Sequence, residues 1–82
     1  MTDYDDMAPI VGVQCWIART ALGWNLRQLG RAAKVSAHTI ARFERGIELK
    51  ATTVQAIQAT LEKAGVVFID ADDGGPGARL SR

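Results

Sequence analysis

Residues 25–46 read NLRQLGRAAKVSAHTIARFERG, and the punctuation of this stretch decides the architecture. Asn25 is a good helix N-cap, and Gln28 stands three residues on, the spacing of a capping box. A short helix therefore starts here and runs to about Ala33, with Leu26, Leu29 and Ala33 facing inward. Lys34 and Val35 make a tight connection. Ser36 caps a second short helix over 37–45, in which Ile40 and Phe43 face the core. Gly46 terminates it. The polar groups left on that second helix are His38, Thr39, Arg42 and Arg45.

Upstream, Val11, Cys15, Ala18 and Leu22 fall at intervals of four, three and four, one stripe of a helix over about Pro9 to Leu22. Pro9 suits a first-turn position. Gly23 is the expected end of this helix, and Trp24 can fold back on it. Downstream, residues 47–51 read as a loop. Thr52 is the expected cap of a fourth helix, about Thr53 to Ala64, with Gln55 at its third position and Val54, Ile57, Leu61 and Ala64 on one side. Gly65 ends it. The period then changes: VVFI (66–69) reads as a strand, DADDGGPG (70–77) is turn chemistry, and ARLSR (78–82) reads as a returning strand. The expected fold is mainly α, four helices followed by a C-terminal β-hairpin. Its segments are an acidic, flexible 1–8, a helical domain 9–65 and a hairpin 66–82.

Eighty-two residues make one domain, and one small enough that its core alone stabilises it marginally. Cys15 is the only cysteine and His38 the only histidine, so neither an internal disulfide nor a zinc set of Cys and His can be assembled. A lone thiol suits a reducing cytoplasm. There is no apolar run near the roughly 20 residues of a membrane span, and the acidic start lacks the layout of a signal peptide. A cytoplasmic protein is expected. Scattered carboxylates with one His and one Cys form no acid–base or nucleophilic set. DDGGPG lacks the lysine and following helix of a phosphate loop. Hence no enzymatic activity, cofactor or metal is expected.

Net charge is +1, but residues 10–50 hold seven bases against Glu44 and Glu48, a local +5. Such a concentration favours a polyanionic partner, although a solvated helix face explains charge equally well. The two short helices joined by about three residues decide between these. They form a helix-turn-helix arrangement, whose second helix fits the DNA major groove, about 12 Å wide.

The stretch ALGWNLRQLGRAAKVSAHTIARFERG (21–46) resembles the helix-turn-helix of the phage-repressor and Cro family of bacterial regulators, the XRE type. The residues that carry the resemblance are Gly23, Asn25, Leu29, Val35–Ser36, Thr39–Ile40, Arg42, Glu44 and Gly46. It extends through TTVQAIQATLEKAG and covers roughly residues 14–65. Two positions depart from the family pattern. Leu26 stands where glutamine usually follows the cap, so one phosphate or base contact is missing. Lys34 stands where the turn usually has glycine; a left-handed backbone there costs about 1 kcal/mol, unless the lysine gains a phosphate contact.

The resemblance implies base reading from the first turn of the second helix, by Ala37, His38 and Thr39. Ala37 can touch a thymine methyl, His38 a purine acceptor or a phosphate, and Thr39 either of these or only the helix start. Arg42, one turn on, matches guanine O6 and N7, worth roughly 1–3 kcal/mol of discrimination. The plainer alternatives are an idle surface histidine and an arginine paired with some acid. Arg45, Lys50 and Asn25 are candidates for phosphate, with Arg27 and Lys34 behind them. For Asn25, capping alone would explain the residue. The resemblance further implies that Arg19 of the first helix pairs with Glu44, fixing the recognition helix.

In the hairpin, Val66 and Phe68 face one way and Val67 and Ile69 the other. Both faces are apolar, so a second chain is the expected cover, with Val66, Val67, Phe68, Ile69 and Leu80 as the dimer interface. A homodimer would set two recognition helices about 34 Å apart on a palindromic operator. Trp16 lies off the stripe of Cys15 and either marks a surface for a protein partner or packs on its own hairpin. The function expected is therefore a dimeric, DNA-binding transcriptional regulator of bacterial or phage type, most simply a repressor of its own promoter. The alternative is a protein-binding module of the antitoxin or antiactivator kind.

Overall fold

The computed structural model describes residues 9–69 and 75–81. The acidic segment 1–8 and most of the turn between the strands, both assigned from sequence, lie outside the described residues. Along the chain come α1 (Gly12–Ala21), α2 (Leu26–Ala33), α3 (Ala37–Glu44), α4 (Ala51–Lys63), β1 (Val66–Ile69) and β2 (Gly77–Leu80). The protein is thus four helices followed by an antiparallel two-stranded hairpin. Among the described residues no helix is long and apolar enough to cross a membrane.

The start signals of the two central helices form as the sequence requires. Asn25 Oδ1 accepts from the Gln28 amide and Gln28 Oε1 accepts from the Asn25 amide, both at 2.8 Å. Ser36 Oγ accepts from the Thr39 amide at 3.1 Å. Each bond satisfies an amide that a helix start leaves without an intrahelical partner. Gly23, Gly46 and Gly65 follow α1, α3 and α4 with positive φ.

Two helix starts differ from the sequence reading. α1 begins at Gly12, so Pro9 stands before the helix and Val11 is its exposed cap residue. Ile10 takes the buried place expected of Val11. The physical cause is Gln14, whose Oε1 accepts the Val11 amide at 2.9 Å and fixes the first turn there. α4 begins at Ala51 with Lys50 as its cap residue and no side-chain cap bond, so Thr52 lies inside the helix. Starting two residues earlier leaves the apolar spacing intact, and Val54, Ile57 and Leu61 are all buried as expected.

The core is one cluster drawn from every element except β2, whose Ala78 and Leu80 pack against it. Leu29, Ile40, Ile57 and Leu61 are fully buried, each contributing about 1.5–3 kcal/mol by leaving water. Two glycines set how closely the helices approach. A Cβ at Gly12 would collide with the Phe43 carbonyl at the end of α3, and one at Gly30 would fall 2.5 Å from the Val35 carbonyl in the α2–α3 turn. Only hydrogen fits at these two points, so α3 is clasped by backbone on both sides.

The hairpin pairs Val66 with Leu80, Val67 with Arg79, Phe68 with Ala78 and Ile69 with Gly77. It is fastened at both ends. Gln14 Nε2 donates to the carbonyls of Ile69 and Gly77, at 3.0 and 3.1 Å. The Ser81 amide donates to the Gly65 carbonyl at 2.8 Å. This attachment gives the inner face of the hairpin to the chain's own core. Val66 is buried in the chain's own core, and Phe68 and Leu80 pack against it. Only Val67 and Ile69 of the five expected residues remain exposed. Strand alternation gives the inner face to the helices and leaves Val67 and Ile69 on the outer face.

Candidate nucleic-acid interface

α3 owes its orientation to two side chains. Ile40 and Phe43 are buried beneath it, which turns His38 and Arg42 to the outside, where both are exposed. They stand four residues apart on one face, about 6 Å along the axis. Ala37 and Thr39 are half-buried beside them. The Thr39 hydroxyl accepts from Ser36 Oγ at 2.8 Å, and its amide takes the Ser36 cap. Thr39 therefore holds the start of α3, the more structural of the two roles open to it.

The side of α3 opposite this face is anchored by charge. Arg19 Nε donates to Glu44 Oε2 at 2.8 Å and Nη2 to Oε1 at 2.9 Å. The remaining nitrogen, Nη1, donates to the Trp24 carbonyl at 2.9 Å. One guanidinium thus joins α1, the α1–α2 turn and the last residue of α3. The planar fork of arginine matches a carboxylate in two parallel bonds, which a lysine cannot do. The two side chains are only 13% and 9% exposed. The hydrogen bond to Glu44 holds the Arg19 proton more tightly than usual. Cys15 Sγ is a third donor to the carboxylate, 3.3 Å from Oε2. Burial, and then the neighbouring Glu44 charge, raise the thiol well above the ordinary range, so Cys15 stays protonated and donates.

The remaining candidates lie around α3. Lys34 closes α2 with φ 60, the one described non-glycine residue with positive φ. The strain anticipated for a lysine at this position is present, and its side chain is exposed. Arg45 directly follows α3 and Lys50 directly precedes α4, and both are exposed. Asn25 and Arg27 lie at the start of α2, exposed. Asn25 has its Oδ1 committed to the capping box, so only its amide nitrogen is free for a ligand.

Sequence reasoning missed Gln14, Gly12 and Gly30. A glutamine on the buried side of an otherwise apolar stripe was a visible signal for the first. The two glycines inside helices were visible too, but what each approaches is a matter of tertiary structure. Trp16 is 51% exposed. No known protein family and no curated protein matches the chain.

Proposed function

We propose that this chain is a sequence-specific double-stranded DNA-binding transcriptional regulator of the phage-repressor and Cro type, working as a homodimer on an inverted repeat, most simply as a repressor. The observation that carries this reading is the outward row on α3. An imidazole and a guanidinium stand one turn apart on a short exposed helix whose other sides are fixed by Ile40, Phe43 and the Arg19–Glu44 bridge. Lys34, Arg45 and Lys50 lie at the ends of the neighbouring segments, where phosphates would pass if α3 entered a major groove. Occupying an operator requires no further chemistry. Cytoplasmic placement belongs to the same proposal.

Selection of bound duplexes from a random pool tests it, and a palindromic consensus is the expected result. Arg42→Ala should then relax the preference at one base position. Arg45→Ala should weaken all sequences alike and reduce the salt slope by about one. Absence of any enriched sequence would remove sequence reading, and identical behaviour of the two variants would remove this division of roles.

One observation favours a protein-binding alternative of the antitoxin or antiactivator kind. Val13 and Trp16, three apart on α1, are both exposed large apolar side chains. A purified chain that binds no DNA until a second protein is added would favour the alternative.

A further inference from the structure

Among the described residues, β1 has a strand on one side only. The Ser81 amide donates to the Gly65 carbonyl at 2.8 Å, and in an antiparallel pair the bonded and unbonded opposite residues alternate. With the observed register, Val67–Arg79 and Ile69–Gly77 are therefore the bonded pairs. Gln14 agrees with this. Its Nε2 donates to the carbonyls of Ile69 and Gly77 together, at 3.0 and 3.1 Å, and those carbonyls turn toward each other only in a bonded pair. Val66 and Phe68 consequently direct their amides and carbonyls away from β2. Outside the hairpin, no backbone group of the described residues bonds to them.

Such an edge is a template for another strand, and proteins that keep an edge unpaired place charge, proline or a bulge on it. VVFI (66–69) holds neither charge nor proline, and it pairs with β2 residue for residue, without a bulge. A second copy of this chain fits the edge. The two strands of a two-fold pair must put their inner side chains on the same side, because a slip of one residue exchanges the faces. The register that bonds both Val66 and Phe68 sets Val66 opposite the partner's Phe68 and Val67 opposite the partner's Val67. Valine with phenylalanine, on the inner face, is a favourable cross-strand pair. On the outer face Val67 and Ile69, exposed in the single chain, join the partner's Val67 and Ile69 in one apolar strip. β2 offers no such match. Its equivalent two-fold pairing would set Arg79 opposite the partner's Arg79, and like charges directly opposite repel. β1 against a partner's β2 leaves an edge open at each end and continues as a filament instead of closing.

We propose that two copies of this chain dimerise edge to edge through β1, antiparallel about a two-fold axis between the two Val67 residues, so that both hairpins form one sheet. The interface rests on the homodimer part of the regulator reading and gives it a geometry; it needs no DNA. The strand is only 4 residues long, so the dimer is weak and forms as concentration rises. An inverted repeat would tighten it by holding both copies.

Sedimentation equilibrium of the full chain without DNA, from micromolar to millimolar, tests the dimer, and amide exchange locates it. The Val66 and Phe68 amides should slow as the dimer fills, while those of Val67 and Ile69, bonded to β2 throughout, change little. Val67→Glu places a carboxylate opposite Arg79 of its own hairpin, which favours the fold, and opposite its own copy, which should hold the chain monomeric. Val67→Lys should also be monomeric, and an equimolar mixture of the two variants should dimerise again. The interface is overturned by a chain that stays monomeric to millimolar, or by a dimer whose Val66 and Phe68 amides exchange freely. Protection of those amides that does not vary with concentration overturns it too, as do variants that dimerise alone as well as mixed, or a mixture that stays monomeric. The two readings fail separately. A dimer with these signs that enriches no duplex keeps the interface and removes the regulator. A palindromic consensus bound equally well by Val67→Glu keeps the regulator and removes the interface.

Discussion

Replacing Arg19 with methionine tests the bridge that holds α3 in place. The change keeps most of the apolar stem but removes both bonds to Glu44 and the bond to the Trp24 carbonyl. Glu44 would keep only the Cys15 thiol as a donor, a weak one for a carboxylate that is 9% exposed. Breaking a buried pair from one side costs about 3–5 kcal/mol. Both groups lie at the margin of the core and water can reach them in part, so about 3 kcal/mol is expected. A domain of this size unfolds with about 4–12 kcal/mol in total, so the loss is large. Each kcal/mol moves Tm by about 4–8 °C, which sets the expected fall at roughly 15 °C. Calorimetry or urea unfolding measures it. The double variant Arg19→Met/Glu44→Leu removes the stranded charge and should recover most of the loss. Recovery would be incomplete, since the Trp24 carbonyl still lacks its donor. A single variant as stable as wild type, or a double variant that loses the sum of both singles, would refute the idea that the two charges act as one unit.

Three further outcomes follow from the same geometry. Gln14→Leu strips the Ile69 and Gly77 carbonyls of a shared donor; it should cost about 2–3 kcal/mol and selectively raise hydrogen exchange in the hairpin. Lys34→Gly relieves the φ of 60 and should stabilise by up to about 1 kcal/mol; if Lys34 touches phosphate, the same variant should bind all DNA sequences less tightly. The Cys15 thiol, raised by burial and Glu44, makes stability fall in alkali. Below about pH 8.5, the ordinary thiol value, folded and unfolded chains both hold the proton and its contribution is complete. Above that, the unfolded chain releases the proton while the folded chain keeps it, so stability declines toward the raised folded value by up to about 1.4 kcal/mol per pH unit. Cys15→Ala should remove that part of the slope, and an unchanged profile would show that the thiol does not carry it.

Local signals in this chain are read correctly where the bond they make is local. Asn25 with Gln28, and Ser36 with Thr39, form their caps within three residues. Helical spacing turns Ile40 and Phe43 inward and His38 and Arg42 outward whatever the neighbours are. The same local logic fails at Thr52, because a cap-type residue is a permissive signal, and α4 starts instead at a lysine with no side-chain cap. Val11 fails in a related way. Its place in the stripe is right for a helix beginning at Pro9, but Gln14 starts the helix later and Ile10 takes the buried position.

The sequence by itself determined the order of elements, the short turn between α2 and α3, and the face of α3 that stays in water. These follow from backbone propensities and side-chain periodicity, which act over three or four residues. Only the tertiary structure decided that Gln14 clamps the two strands, separated from it by 55 and 63 residues, and that Gly12 and Gly30 are the points where backbones touch. It also decided that Val66, Phe68 and Leu80 serve the chain's own core while Val67 and Ile69 stay outside. A buried amide or a missing Cβ acquires its role from whatever packs against it, and nothing within its own turn of helix specifies that neighbour.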